Sequence, residues 1–181
     1  MYTPTFVILL ASLFHLTTSL TIDILPTPTP TKMPAVKPEI AQIIQDKKLK
    51  YARYADTHQW EKFNEVAWPD CTYNYKDHDE IIVDHGFTYS WNSTAEFTAF
   101  FSMAFSTLQT SHHVGPGEFT WVSCDQVDAI FPIVYYSGLA KGVNSTQGVT
   151  GVGAGHYFNS YTRNGSDWLM SSCSFNRIYE Q

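Results

Sequence analysis

The sequence predicts an α+β fold in which three N-terminal helices cover one face of a curved antiparallel sheet. Apolar residues recur at helical spacing in the first half of the domain and alternate with a period of two after Gly117. Helical patterns come first and strand patterns afterwards, without the strand–helix–strand alternation that is typical of a parallel sheet. A bent sheet and three helices can close a cone with an internal pocket.

The chain divides into a leader, a linker and one domain. Its 181 residues are 44% hydrophobic, which suits a single globular domain with a sizeable core. Residues 1–19 resemble a signal peptide, because an apolar run is followed by small residues, although no Lys or Arg precedes Lys32. Residues 20–38 are rich in Thr and Pro, as in a disordered linker, and the domain covers residues 39–181.

The leader and three glycosylation sequons predict a secreted protein. The sequons are at Asn92, Asn144 and Asn164. A cytoplasmic location is the alternative, because such triplets also occur by chance. The three cysteines allow at most one intramolecular disulfide and do not distinguish the two compartments.

Charge and hydropathy argue against two classes of partner. The net charge is −6 and the Lys and Arg residues are scattered, so no basic surface for nucleic acid is expected. The apolar run of the leader is too short to span a membrane. The 15% aromatic content suits either a pocket for a flat apolar ligand or simply a well-packed core.

Three helices are predicted before the sheet. The first has apolar residues at helical spacing, namely Ile40, Ile43, Ile44, Tyr51, Tyr54 and Ala55. A second, short helix carries Trp60, Phe63 and Ala67 and is stopped by Pro69. The third begins with a capping box formed by Ser93 and Glu96. Its expected buried face contains Phe97, Phe100, Phe101, Ala104, Phe105 and Leu108.

The strands follow from period-two patterns. The first is predicted over residues 71–76, and the polar stretch 77–91 is predicted to be a long loop. Four further strands are predicted around residues 119–121, 129–135, 152–162 and 168–178. The last two are joined by Asn164-Gly165-Ser166, a sequence that is typical of a β-hairpin turn.

This hairpin places polar side chains in the middle of its strands. If Arg163 pairs with Asp167, His156 lies opposite Ser174, and Asn176 shares their face. Polar residues in mid-strand are unusual on a face packed against a core and are typical of a cavity wall. We therefore expect His156, Ser174 and Asn176 to line the pocket.

Asp56 and His112 are further candidates for acid–base chemistry. Asp56 lies where the first helix ends, and His112 and His113 precede the first long strand. A carboxylate that contacts an imidazole fixes its tautomer and raises its basicity, and a second imidazole can pass a proton to a leaving hydroxyl. Each histidine is also consistent with a surface or hydrogen-bonded structural role.

The domain resembles the scytalone dehydratases and related SnoaL-like proteins of the nuclear transport factor 2-like superfamily. The resemblance covers residues 39–181 and depends on five segments in order and spacing. They are Tyr54-Ala-Asp56-Thr-His-Gln-Trp60, Tyr75, Ser111-His112-His-Val-Gly115, Gly155-His156 and Ser174-Phe-Asn176-Arg.

The resemblance implies a role for each matching residue. His112 is expected to be the catalytic base and His156 the proton donor, with Asp56 as their orienting carboxylate. The expected substrate-binding residues are Tyr75, which polarises a carbonyl through water, and Ser174 and Asn176. The implied enzyme is a dehydratase, or a related isomerase or cyclase, that acts on a polyketide-like compound without cofactor or metal. The resemblance also allows a homotrimer packed through the open sheet.

One departure from the family pattern concerns the pocket. The dehydratases carry a second carbonyl-polarising tyrosine just before the aspartate, where this chain has Ala55. Tyr54 is one residue away and is expected to point elsewhere on the helix. With a single phenol, enolate stabilisation is expected to be weaker, so scytalone itself is not the expected substrate.

Three other interpretations of the sequence compete with this enzyme. A secreted, non-catalytic binding protein with the same cone would use the histidines only as hydrogen-bond partners. The cluster of Asp, His and Glu in residues 77–85 has no metal-site spacing and is interpreted as a solvated acidic loop. The Gly-rich run 151–155 is not a dinucleotide fingerprint, because a strand follows it.

Overall fold

The computed structural model describes residues 33–143 and 151–181. The predicted leader, the linker up to residue 32 and the sequon at Asn144 lie outside the described residues. Within the described ranges, no helix is long and apolar enough to cross a membrane.

The first helix, α1, extends over Pro38–Asp56. A proline at the start of a helix costs little, since the first turn has no acceptor for its missing N–H. Ile44, Tyr51 and Ala55 are buried on the face that the spacing predicted. The position of the helix end brings Asp56 to the edge of the core.

The second predicted helix is only a 3₁₀ helix, Trp60–Glu65. The prediction that this helix carries Ala67 is wrong, because Ala67 begins the first strand and pairs with Met170. Pro69 lies within that strand, where the ladder of hydrogen bonds is interrupted. Tertiary pairing with the last strand therefore overrides the local helical pattern.

The helix α2, Thr94–Ala104, begins as predicted. The Ser93 hydroxyl accepts a hydrogen bond from the Glu96 amide at 3.1 Å, and the Glu96 carboxylate accepts one from the Asn92 amide at 2.9 Å. Phe97 and Phe101 are buried, whereas the other expected members of the face, Phe100, Ala104 and Phe105, are partly buried. A 3₁₀ turn, Phe105–Thr107, follows, so Leu108 belongs to a strand and not to the helix.

The sheet contains eight strands in the order β2-β1-β10-β9-β8-β6, with β5 paired to β1 and β7 paired to β8. The strands are β1 Ala67–Asp77, β2 Glu80–Ile81, β5 Ser90–Trp91, β6 Leu108–Val114, β7 Glu118–Ser123, β8 Gln126–Leu139, β9 Gly151–Asn164 and β10 Asp167–Glu180. A separate hairpin is formed by β3 Val83–Asp84 and β4 Phe87–Thr88. All pairs are antiparallel except β1 with β10, which are parallel.

Two features of the sheet differ from the prediction. The stretch 77–91, predicted as a loop, contains the four short strands β2 to β5. Strand β6 was not predicted, although it carries both His112 and His113.

The register of the last hairpin differs from the predicted one. Its turn has two residues, with Gly165 at φ +63°, so Asn164 pairs with Asp167. A bulge between Met170 and Ser172 adds a second one-residue shift. The expectation that Arg163 pairs with Asp167 is therefore wrong.

The consequence of the two shifts is that His156 pairs with Asn176 and not with Ser174. Because the shifts sum to two, the three residues share a face, as predicted. The neighbouring residues Tyr157 and Phe175 are buried in the core and point to the opposite face. The face that carries His156, Ser174 and Asn176 is thus the outside of the sheet.

Candidate active site

A cavity of about 910 Å³ lies between the inner face of the sheet and the helices. Its apolar wall includes Trp60, Phe97, Phe101, Phe105, Tyr157 and Phe175. Its polar groups include Tyr51, Tyr75, Thr110, His112, Tyr135 and Arg177. The wall combines aromatic and aliphatic side chains with polar groups, and the acidic residues Asp77, Glu80, Asp84 and Glu180 also line it. Such a mixture is the ordinary composition of a small-molecule site.

Asp56 holds His112 in this wall through several hydrogen bonds. His112 Nδ1 lies 2.5 Å from Asp56 Oδ1, and the His112 amide donates to Asp56 Oδ2 at 2.9 Å. The Thr110 hydroxyl also donates to Oδ1, at 2.8 Å, and the Gln109 side chain donates to the Asp56 carbonyl oxygen at 2.6 Å. The end of α1 is thereby fixed to β6, and the sequence-based expectation that Asp56 contacts His112 is confirmed.

The environment keeps Asp56 ionised. Burial opposes ionisation, but the hydrogen bonds and charge of His112, with the Thr110 hydroxyl, lower the pKa of Asp56 below its ordinary value. A carboxylate at Nδ1 holds the proton on that nitrogen and leaves Nε2 as the basic atom. Nε2 makes no hydrogen bond within residues 33–143 and 151–181, and the His112 side chain lines the cavity. This arrangement is suited to removing a proton from a bound molecule.

His113 lies on the other face of β6, as expected for the next residue of a strand. It is exposed, its Nε2 lies 3.3 Å from the Ser111 hydroxyl, and its ring makes an edge contact with Tyr136. His113 does not line the cavity.

Two phenol groups meet inside the cavity. The hydroxyls of Tyr51 and Tyr75 are 3.0 Å apart. Burial raises the pKa of both groups, so they remain protonated hydrogen-bond donors. Tyr157 contacts Tyr51 edge-on at 5.8 Å between ring centres and has a raised pKa for the same reason.

The expectation of a single phenol is therefore wrong. Ala55 lines the cavity, and Tyr54 points away and donates to Glu65 at 2.7 Å, as predicted. Tyr51 lies one helical turn before Ala55 and so reaches the same cavity. The spacing of four residues between Tyr51 and Ala55 puts both on one helical face, and this spacing could have predicted the second phenol.

Tyr135 is a further cavity phenol that the sequence did not identify. Its ring lies across Gly153, where a Cβ atom would be only 2.2 Å from the phenol Oη. Its hydroxyl donates to Glu180 at 3.2 Å. Burial and the Glu180 carboxylate raise the pKa of Tyr135 to about 12.

Glu180 is itself held by Arg177, which also donates to Asp77 Oδ2 at 3.0 Å. The pKa of Asp77 is lowered mainly by its hydrogen bond with Arg177. The centre of the Tyr135 ring is 6.1 Å from that of His112. A bound molecule can therefore contact the imidazole and this phenol together.

The other three expected site residues do not line the cavity. His156 contacts the exposed Phe158 ring, at 6.4 Å between ring centres. Asn176 donates to Asp79 Oδ1 at 2.7 Å and accepts from the Asp79 amide at 3.0 Å, so it supports the β1–β2 turn from outside. Ser174 lies on the same outer face. The expectation that these residues line the pocket is wrong because that face of β9 and β10 is not the packed one.

Comparison with known proteins identifies the family. The family model of the SnoaL-like domain matches residues 39–174. The chain belongs to the SnoaL-like domain family. A protein of Gibberella zeae named "Probable cyclase FGR4" is 38% identical over 146 residues, which are 80% of this chain and 95% of that protein.

Solved structures of this SnoaL-like fold are similar in shape and remote in sequence. The "Putative Scytalone Dehydratase" of Novosphingobium aromaticivorans has a TM-score of 0.61 at 14% identity, covering 77% of this chain and 85% of its own. The hexachlorocyclohexane dehydrochlorinase LinA-type3 of Novosphingobium barchaimii has a TM-score of 0.58 at 14% identity, covering 79% and 87%. At this identity the likeness shows the fold alone.

Proposed function

We propose that this SnoaL-like protein is a cofactor-independent lyase, isomerase or cyclase that forms an enolate from a polyketide-like ketone. The observation that supports the proposal most directly is the Asp56–His112 pair in the wall of an aromatic cavity, with His112 Nε2 open to the cavity. The SnoaL-like relative named a probable cyclase supports the same class of chemistry.

In the proposed reaction, His112 Nε2 removes a proton from the carbon next to a ketone. Asp56 stabilises the imidazolium that forms, because its carboxylate accepts the Nδ1 proton. Of the paired hydroxyls of Tyr51 and Tyr75, one donates to the other, and the second donates a hydrogen bond to the ketone oxygen as it becomes negatively charged. The enolate can then expel a β-hydroxyl, be reprotonated at another carbon, or attack a second carbonyl of the same molecule.

The proton donor in this proposal is Tyr135 instead of His156. Tyr135 lines the cavity, whereas His156 lies behind the sheet. A phenol with a pKa of about 12 is neutral at neutral pH and more acidic than water, so it can protonate a departing hydroxide. In the unliganded protein this hydroxyl donates to Glu180, so the proposed step requires the O–H to turn from the carboxylate to the departing oxygen.

The test uses a reaction step that all three outcomes share. A hydroxylated tetralone, a bicyclic β-hydroxy ketone, is incubated with the protein in deuterium oxide, and exchange at the α-carbon is followed by NMR. Loss of water is followed by absorbance in the same sample. Removing a positioned base typically costs ~10²–10⁴ in rate, so His112→Ala should lose nearly all exchange.

His113→Ala is the matched control, because the neighbouring imidazole lies on the other face of β6. We expect it to exchange protons at the wild-type rate. Equal losses in the two variants, or exchange that His112→Ala retains, would contradict the proposed role of His112.

A non-catalytic binding protein is a second candidate, favoured by one observation. Of the six residues expected in the pocket, His156, Ser174 and Asn176 are outside it. A binding cone would hold the tetralone, as measured by calorimetry, without accelerating exchange in any variant.

A further inference from the structure

Lys48 is a buried cation that the proposed reaction does not use. It lies in α1 with no exposed surface, and its Nζ has no hydrogen-bond partner in the part of the chain that the structure describes. Within residues 33–143 and 151–181, no carboxylate is within ion-pair distance of it. Burying an ammonium group without a hydrogen-bond or ion-pair partner strongly lowers the stability of the folded state.

The Lys48 ammonium lies behind two aromatic rings of the cavity wall. Nζ lies 3.1 Å from the ring centre of Tyr157 and 4.0 Å from that of Tyr51. Both rings line the cavity, so each separates Lys48 from a bound molecule. The other titratable groups that face Lys48 are the thiols of Cys71 and Cys173.

The charge state of Lys48 supports a role near neutral pH. Burial lowers its pKa to about 8, which leaves most of the side chain charged at pH 7. Burial raises the pKa of both thiols, so Cys71 and Cys173 remain neutral in the same range. Of Lys48 and the two thiols, Lys48 is therefore the group whose charge changes near pH 8.

Lys47 shows what an ordinary buried lysine does in the same helix. Its Nζ donates to Asp167 at 2.7 Å and to the Glu65 carbonyl at 2.6 Å. Among the described residues, the partners of Lys48 Nζ are instead the faces of two aromatic rings. A methionine of similar length would fill the space without any desolvation cost.

We infer that Lys48 is a positioning residue whose ammonium, held against the rings of Tyr51 and Tyr157, favours negative charge on a substrate oxygen in the cavity. A cation on one face of a phenol ring withdraws electron density and makes its hydroxyl a stronger donor. The inference rests on the proposed function, because it assumes that charge develops on an oxygen near these hydroxyls.

The first measurement needs no substrate. Protein labelled with ¹³C at tyrosine Cζ is titrated, and the Tyr51 and Tyr157 signals are assigned with Tyr→Phe variants. Both signals should move with a midpoint near pH 8 in the wild type. They should not show this step in Lys48→Met or in the polar, uncharged Lys48→Gln, and should keep it in Lys47→Met.

The second measurement uses two probes of similar shape and different charge. Nitrophenolate carries a negative oxygen, and nitroanisole does not. Lys48→Met should bind nitrophenolate about tenfold more weakly. A loss of this size is expected when one positive charge is removed from a partly screened site near the bound anion. Its affinity for nitroanisole, and both affinities of Lys47→Met, should equal those of the wild type.

The outcomes separate this inference from the proposed function. Tyrosine signals without the step near pH 8 in the wild type, or equal nitrophenolate affinity in Lys48→Met and the wild type, would overturn the role of Lys48. Failure of deuterium exchange would instead contradict the reaction and leave the measured coupling between Lys48 and the phenols intact.

Discussion

Replacing Asp56 by asparagine tests the contact that connects the fold to the proposed chemistry. The carboxylate accepts three hydrogen bonds, from the Thr110 hydroxyl, the His112 amide and His112 Nδ1. An asparagine keeps one acceptor oxygen and places an NH₂ group against a donor. The Asp56 side chain is only 20% exposed, so water compensates little.

The expected loss follows from these contacts. Hydrogen bonds to a charged partner contribute about 1.5–3 kcal/mol each, and the amide retains some of them. We therefore expect Asp56→Asn to lower the free energy of unfolding by about 2–3 kcal/mol at pH 7. Urea denaturation followed by tryptophan fluorescence measures this difference.

The loss should depend on pH in a defined direction. The folded-state pKa of Asp56 is lowered below its ordinary value of 3.8, so its stabilisation is fully present above pH 3.8. It disappears as the pH falls through the lower folded-state pKa, because a protonated Asp56 resembles an asparagine. The stability difference between wild type and Asp56→Asn should shrink accordingly in acid.

Asp46→Asn is the matched control, because Asp46 is an exposed residue of the same helix whose only described partner is Gln42. Its effect should be within about 0.5 kcal/mol. Wild-type stability of Asp56→Asn at pH 7, or a loss that is constant down to acid pH, would refute the reasoning.

Three further predictions concern the cavity, the surface and the assembly. Gly153→Ala should displace the Tyr135 ring and lower stability by about 1–3 kcal/mol, and Tyr135→Ala in the same chain should restore part of the loss, as thermal denaturation would show. If the chain is secreted, the exposed Asn92 and Asn164 should carry glycans in a eukaryotic host, and glycosidase treatment should reduce the mass. The open outer face of the sheet is expected to support a trimer, and a strict monomer in light scattering at micromolar concentration would exclude this assembly.

Local signals account for the parts of the fold that were predicted correctly. The capping box of α2 and the apolar spacing of α1 depend on neighbours three or four residues away, which the sequence shows directly. Strand β6 depends on pairing with β8, and in its seven residues only Thr110 is buried. Such a polar segment carries no period-two signal, so it could be found only from its partner strand.

The candidate site was predicted only in part, because its residues come together through contacts between segments that are distant in sequence. Asp56 and His112 are 56 residues apart, and the end of α1 and the register of β6 bring them together. The face of His156 was predicted wrongly because β9 carries large aromatic residues on both faces, Tyr157 and Tyr161 on one and Phe158 on the other. Phe158 is exposed and the two tyrosines are buried, so packing against the helices, which lie far away in sequence, decides which face is inside.

The presence of one imidazole in the cavity, among the described residues, bears on which enolate reaction the pocket favours. Dehydration removes a proton from the α-carbon and protonates the departing hydroxyl. His112 can do both only if the hydroxyl leaves from the side on which the imidazolium lies; otherwise a second acid is needed. Isomerisation and intramolecular cyclisation need one base that can return the same proton to another carbon or oxygen. Tyr135 can supply the acid for dehydration, but its raised pKa makes it weaker than an imidazolium. If the proposed enolate forms, we therefore expect isomerisation or ring closure to be faster than a loss of water that depends on Tyr135 as the acid.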